Sequence, residues 1–417
     1  MNMISGAKVP APLMSERRVS LICALIVMIG PISLSLFTPA MPELVVAFGS
    51  TESVVKLTLS LYFAGFAVAQ LVCGPLSDGF GRKPVTFIFM VIYLLSSVLA
   101  VYAPSIEALI AARFLQGVGA AVGTTVSRAV VRDLFTNERS ARIMNLISLL
   151  MGVAPAFAPT LGGVMMGLFG WQSIFLFMAG AAVVIVATVH FAMVETVPRD
   201  LSRIRPRALA RAYATLLTDR YFMLSSVVLA GGLGAFYTQA TILPFILMTR
   251  VGLTATEFGV SMLMQSASFF VGALLVRQLM VRFGAFRIVP VGFVGIVVGS
   301  LALPVLLGLY PPSVLTVMGP IVFYSFGTAF VMPAMSTASV APFPHMAGAA
   351  SSLAGFFQMG GGLVGSLVAA AIGEPVLAMA TVIPCMGLIA TAAYVVWRRV
   401  PEPALARVVL PGPGEGL

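Results

Sequence analysis

Twelve apolar stretches follow one another along this chain with almost no pause, and each is long enough to cross a lipid bilayer. About 30 Å of hydrocarbon takes roughly 20 helical residues. The stretches fall at 19–37, 54–73, 85–103, 106–126, 143–168 and 171–194, then, after a polar connection, at 221–248, 258–281, 287–309, 313–333, 347–372 and 375–397. Hydrocarbon offers no water to an unpaired peptide group, so only helices and closed barrels survive there. These runs are far too long for barrel strands, so they are helices. The charged fraction is 9%, against about 25% in soluble domains. Gly 40 and Pro 27 suit membrane helices, where small residues allow close approach and neighbours satisfy freed backbone groups. The first run is too long for a signal-peptide core and lacks a cleavage pattern, so it is read as a retained span.

The charges sort by face. The formal net charge is +10, which in a soluble protein would suggest nucleic acid. Here Lys8, Arg17 and Arg18 precede the first span, and Arg82 and Lys83 follow the second. Arg128, Arg132, Arg139 and Arg142 follow the fourth. Arg199, Arg203, Arg205, Arg207, Arg211 and Arg220 fill the central connection, and Arg398, Arg399 and Arg407 follow the last span. With alternating spans, all of these share one face, together with Arg277, Arg282 and Arg287. Only Lys56 and Arg250 flank the other face, and Arg113 lies inside a span. An odd number of spans would scramble the sorting. The positive-inside rule then places both termini and the central connection on the cytoplasmic side, and a bacterial inner membrane is the expected location. The basic excess is a topology signal and implies the lipid bilayer, not nucleic acid, as the partner.

The halves repeat. At an offset of 203, Phe80-Gly81 falls on Phe283-Gly284, Gly152 on Gly355, Pro159 on Gly362 and Gly162 on Gly365. The expected fold is therefore an all-α membrane protein with 12 transmembrane helices in two pseudo-symmetric six-helix bundles related by an axis along the membrane normal. Its parts are a tail at 1–18, a bundle at 19–198, a linker at 199–220, a second bundle at 221–398 and a Pro/Gly-rich tail at 399–417.

Several motifs carry chemistry. Gly74-Pro75-Leu76-Ser77-Asp78-Gly79-Phe80-Gly81-Arg82-Lys83 lies between the second and third spans. Its glycines permit a tight turn, and Asp78 can accept from basic groups or a helix N-terminus. In the fourth span, Arg113-Phe114-Leu115-Gln116-Gly117 sets a charge roughly 10 Å below the membrane edge. Such a charge costs about 2.5–3.5 kcal/mol on insertion scales, so it faces a partner or a wet cavity. Gln116, Gly117, Ala120 and Thr124 share its helical face. The fifth span carries Gly152, Pro155, Pro159, Gly162 and Gly163. Its prolines remove helix hydrogen bonds and its glycines admit a close neighbour, properties that serve a hinge or ordinary packing equally. Ser35, Tyr62, Tyr237, Gln239, Gln265, Tyr324, Phe357 and Gln358 lie within spans, facing either an interior pocket or a packed neighbour.

The loop motif, the Arg-x-x-Gln-Gly run and the fifth-span Gly/Pro pattern together resemble the major facilitator superfamily. Thr38-Pro39-Ala40-Met41-Pro42, the run Ser127–Phe135, and Ala349-Ala350-Ser351-Ser352-Leu353 with Gln358 look like the Bcr/CflA group of drug:proton antiporters. The resemblance covers nearly the whole chain. It implies a substrate cavity between the halves, with Arg113, Gln116 and Ser35 at motif positions; Tyr62, Tyr237, Gln239, Gln265, Tyr324, Phe357 and Gln358 are candidate liners because polar and aromatic groups inside spans tend to face the interior, with packing against a neighbour as the competing reading. It implies gating by Asp78, Gly81, Arg82, Gly152, Pro155, Pro159 and Gly163, with a proton as coupling ion, a small-molecule substrate and a monomeric protein. Three departures stand out. Gly79 sits where the family usually has a basic residue, Val281 replaces the acidic residue of the second copy, and Ser35 stands where the group commonly carries an aspartate. No Asp or Glu lies deep in any expected span. Arg113 is then the only formal charge in the cavity, which favours neutral or anionic substrates over cations. An importer or uncoupled facilitator on the same fold is the alternative.

Nothing points to an enzyme. Cys23, Cys73 and Cys385 lie in apolar runs, and His190 and His345 are isolated, so no metal site is expected. Gly117-x-Gly119-x-x-x-Gly123 lacks the dinucleotide-loop spacing and a preceding strand, and no phosphate-cradling ATP loop is present, so no cofactor is expected. Single-cysteine labelling from either side of intact cells is expected to place the beginning and end of the chain on the same, cytoplasmic side; labelling on opposite sides overturns the span count.

Overall fold

The structure is a computed structural model that describes residues 13–135 and 137–403. Among the described residues there are helices and no strand. The first unit comprises α1 (Glu16–Ser35), a single 3-10 turn and α2 (Met41–Ala47). Next come α3 (Glu52–Phe80), α4 (Arg82–Val101), and α5 (Ile106–Ala120) continued by α6 (Val122–Leu134). The first half ends with α7 (Asn137–Phe169) and α8 (Gln172–Ala192). A linker helix, α9 (Pro206–Thr218), leads to α10 (Arg220–Pro244), which ends in a π-helical turn, Phe245–Arg250. The chain closes with α11 (Ala255–Phe283), α12 (Ala285–Leu309), α13 (Val314–Val340), α14 (Ala347–Ile372) and α15 (Pro375–Trp397).

Eleven of these units are long and apolar enough to cross a membrane. The stretch expected at 143–168 lies within α7, a helix of 33 residues. Helix starts follow from side-chain caps. Thr51 accepts from the Val54 amide, Ser105 from Ala108 and Asp219 from Phe222, each satisfying an orphan donor of the first turn. Several helices outrun their apolar cores: α3 continues to Phe80, and α6 and α13 reach Leu134 and Val340. The overhangs of α3 and α6 carry charged motifs of the basic end, Asp78 on α3 and Arg128, Arg132 and Asp133 on α6. The linker was expected as a plain polar connection, yet it holds α9. That helix keeps one narrow inward stripe, Leu209, Ala212, Tyr213 and Leu216, at helical spacing, with Leu216 fully buried.

The repeat is visible in the backbone. The six glycines with left-handed φ fall into three pairs 203 positions apart: Gly49 with Gly252, Gly81 with Gly284, and Gly170 with Gly373. Starts of α3 and α11, of α4 and α12, and of α8 and α15 are offset by the same 203 residues. The buried apolar residues divide likewise. One core runs from Met14 to Met193 and takes in Phe245, a second runs from Leu216 to Trp397, and a small third cluster of Val276, Ile288 and Phe330 also belongs to the second half. Large apolar side chains such as Leu21, Leu95, Val183, Val294 and Phe323 point outward, as lipid contact requires.

Between the halves, α3 packs on α14 and α7 on α11. A side chain at Gly163 of α7 would collide with the Ala255 carbonyl, and one at Gly259 of α11 with the backbone of Thr160. Both contacts lie at the end away from the basic face. Within the first half, α3 and α5 meet the same way, since a side chain at Gly65 would strike the Phe114 carbonyl and one at Gly117 the Tyr62 carbonyl. Backbone cannot rotate aside, so overpacking there costs about 1–3 kcal/mol. Gly117→Leu is therefore expected to lower the melting midpoint of detergent-solubilised protein by about 1–3 °C. Gly167→Ala, with open space around it, should leave the midpoint unchanged.

Candidate functional site

Arg113 sits two turns into α5 and is wholly buried. Its Nη1 donates to Gln116 Oε1 at 2.6 Å and to Ser33 Oγ at 3.3 Å. Gln116 in turn donates from Nε2 to Ser97 Oγ at 2.7 Å. The guanidinium lies between two rings, 4.5 Å from the Phe37 centroid and 4.4 Å from that of Tyr62. Each such contact contributes about 0.5–2 kcal/mol, more when water is excluded. Tyr62 is held by donating its hydroxyl to the Gly30 carbonyl at 3.2 Å. Arg113 Nε and Nη2, and the hydroxyl of nearby Tyr93, make no hydrogen bond to protein. Among the described residues no carboxylate pairs with Arg113. The charge is therefore stabilised by aromatic faces and neutral dipoles contributed by α1, α3, α4 and α5.

The structure thus brings Arg113, Gln116 and Tyr62 together and adds Ser33, Phe37, Tyr93 and Ser97, which the sequence reading did not single out. The Ser96-Ser97 pair in an otherwise apolar span was the available signal. The hydroxyl partner on α1 is Ser33, two positions before Ser35. Ser35 is buried, and its carbonyl accepts from Thr38 Oγ1 at 2.9 Å.

The second half supplies a separate polar group. Gln265 Nε2 donates to Gln239 Oε1 at 2.7 Å, and Gln239 Nε2 has no protein partner. Tyr324 lies deep within that half, donating to the Gly231 carbonyl at 2.8 Å. Tyr237 instead reaches the other half, its ring 5.5 Å from Phe63 and beside Gly362. Since Phe63 adjoins Tyr62, the run Tyr62, Phe63, Tyr237 joins the two halves. Phe357 packs edge-on against Phe356, and Phe357 and Gln358 are both half-buried.

At the basic end, Arg82 is the centre of a network confined to the first half. It pairs with Asp78, donates from Nη1 to Ser77 Oγ at 2.7 Å and from Nε to Asp133 Oδ2 at 3.0 Å. Glu195, beyond α8, accepts from the amides of Arg82 and Lys83 at 2.8 and 3.1 Å and so caps α4. Gly81 turns the chain between α3 and α4 with φ of 106°. The unusual Gly79 has a local cause. The linker docks on it, with the Asp200 amide donating to the Gly79 carbonyl at 2.9 Å and Ile204 occupying the space a side chain would need.

Along α7, Pro155 is half-buried and Pro159 buried. Gly162 meets the carbonyl of Leu36, just after α1, while Gly163 meets Ala255 at the start of α11. The surroundings of Gly152 lie outside the described residues. The helix is therefore wedged between its own half and the other.

Residues 23–366 match the family described as Major Facilitator Superfamily. The chain is 28% identical to Multidrug resistance protein D of Escherichia coli (strain K12), over 85% of this chain and 89% of that protein. It is 29% identical to Multidrug resistance protein MdtL of Salmonella paratyphi C, over 85% and 88%. A bacterial homolog of the human lysosomal transporter Spinster, solved in an inward-facing, unoccupied conformation, superposes with a TM-score of 0.71 at 17% identity, covering 92% of this chain and 97% of that one.

The cap on α4 is testable. A carboxylate accepting two amides at a helix N-terminus contributes about 1–2 kcal/mol. Glu195→Ala is expected to lower the melting midpoint by about 1–2 °C, whereas Glu195→Asp should lower it less.

Proposed function

The chain belongs to the major facilitator superfamily, a family of transporters rather than enzymes, and on that footing we propose that it exports small drug-like or metabolite molecules by alternating access, driven by protons. The observation that carries the substrate reading is Arg113. It is wholly buried and paired with no carboxylate among the described residues. An unneutralised guanidinium repels cations and favours neutral or anionic partners. The similarity to two multidrug resistance proteins supports drug export, and the motifs quoted above support membership of the Bcr/CflA group. The division into two bundles, the cytoplasmic placement of the basic face, and a bilayer-embedded monomer are parts of the same reading.

In this proposal Arg113, Gln116, Tyr62, Tyr237, Gln239, Gln265, Ser35, Tyr324, Phe357 and Gln358 shape the substrate path. Asp78, Gly81, Arg82, Gly152, Pro155, Pro159 and Gly163 govern the change of state. The network around Arg82 ties α3, α4 and α6 into one unit at the cytoplasmic face, so that the half moves as a body. Substrate and proton then shift the equilibrium only by binding the two states unequally.

A second reading, an importer or uncoupled facilitator, is favoured by one feature. Ser35 occupies the position of the carboxylate common in the group. The two separate in proteoliposomes carrying the purified protein. Under an imposed pH gradient, an antiporter accumulates a neutral phenicol-type drug against its gradient, while a facilitator only equilibrates it. Arg113→Gln is expected to cut transport of that drug at least tenfold. Strong export of a lipophilic cation with none of the neutral drug overturns the charge reading.

A further inference from the structure

Lys56 breaks the charge sorting of this chain. Besides Arg250 it is the only basic residue at the far end, away from the arginine-rich face. It lies in the second turn of α3 and is fully buried. A lysine near a membrane surface normally extends its stem so that the ammonium stays in water. This one is directed across the interface. Its Nζ donates to the carbonyl of Gly373 at 3.2 Å, and lies 5.3 Å from the centroid of the Phe245 ring. Gly373 follows α14, and Phe245 opens the π turn after α10. Both partners belong to the second half, while Lys56 belongs to the first.

The chemistry of the acceptor favours a cation. The last carbonyls of a helix carry the negative end of its dipole. Gly373 adopts φ of +79°, which ends α14 before α15 begins. Around the ammonium stand Glu52 on its own helix, Glu374 at the start of α15, and Arg250. Two carboxylates against one guanidinium leave the surroundings net negative. Ser53, three residues before Lys56, also lies close to Gly373. Nearby, Gly163 and Gly259 bring α7 and α11 to backbone contact. The far end is therefore closed in this structure, and among the described residues Lys56 is a charged tie across it.

We propose that Lys56 is an interhalf latch: its ammonium, seated on the carbonyl end of α14 and the face of Phe245, holds the far end shut and is released to water when that end opens. Its hydrogen bond to Gly373 and its contact with the Phe245 ring are both lost once the halves part there, while Glu52 stays beside it on α3. The latch thus differs in energy between states, as a gating element must. It extends the alternating-access reading but depends on neither the substrate nor the driving ion.

Spin labels test it directly. Val46, on α2, and Leu315, at the start of α13, are exposed at the far end on opposite halves. Val46→Cys and Leu315→Cys, with Cys23, Cys73 and Cys385 replaced by alanine, report the gap as a distance distribution in lipid nanodiscs without substrate. Lys56→Met is expected to raise the ratio of long to short distances about tenfold, in line with loss of a charged hydrogen bond. Lys56→Arg should retain the native distribution. Lys56→Gln, closer in polarity, should shift it in the same direction as Met and serves if the Met variant aggregates. An unchanged distribution, or one shifted toward short distances, in either neutral variant overturns the latch. Because no transport is measured, failure here leaves the export reading intact, and failure of that reading leaves the latch intact.

Discussion

Backbone touching backbone is the interaction on which this structure depends. In water, burial of apolar side chains would drive the helices together, but lipid is as apolar as leucine and supplies no such drive. What remains is close packing and a few polar ties. Gly65 and Gly117 seat α3 and α5 against each other's carbonyls, and Gly163 and Gly259 do the same across the halves. A chain rich in glycine and proline would be marginal as a soluble bundle. Here those residues are the packing surface, and the bulky side chains turn outward to lipid.

That packing decides how charge can be held. Once the helices approach this closely, a buried ion cannot recruit bulk water and must find fixed partners. Arg113 finds two aromatic faces, a serine and a glutamine, and no acid among the described residues. Arg82 at the basic end finds Asp78, Ser77 and Asp133, with Glu195 holding the turn beside it. The contrast is physical. Near the surface, carboxylates are affordable because water screens them, whereas inside the bundle a neutral, polarisable cage holds the cation without adding a second desolvated charge.

Much of the fold could be read from the residues, because the bilayer imposes a length and a face on every span. Run length gave the helices, the placement of arginine gave the expected orientation, and glycine matches gave the duplication that the paired left-handed glycines display. The linker helix α9 was missed although Leu209, Ala212, Tyr213 and Leu216 have amphipathic-helix spacing, because these few residues sit among the arginines of a polar connection. The site was only partly visible. Arg113, Gln116 and Gln239 stand out as polar residues in apolar runs. Ser33, Ser97 and Phe37 do not, since serine and phenylalanine are common in membrane helices and their role depends on which helices become neighbours. Gly79 shows the same limit: its lack of a side chain looked like an anomaly until the docked linker explained it.

Two of the cations that escape the sorting rule, Arg113 and Lys56, are buried and differ in how they are enclosed. Arg113 is surrounded by residues of its own half, so sliding one half past the other need not disturb it. Lys56 has its hydrogen-bond acceptor and its ring on the opposite half. A charge whose partners travel with it can shape a binding surface in every state, whereas a charge whose partners depart can only report and bias the state itself. On the proposed reading, selectivity and state would fall to different residues, according to which side of the interface carries the groups that compensate burial.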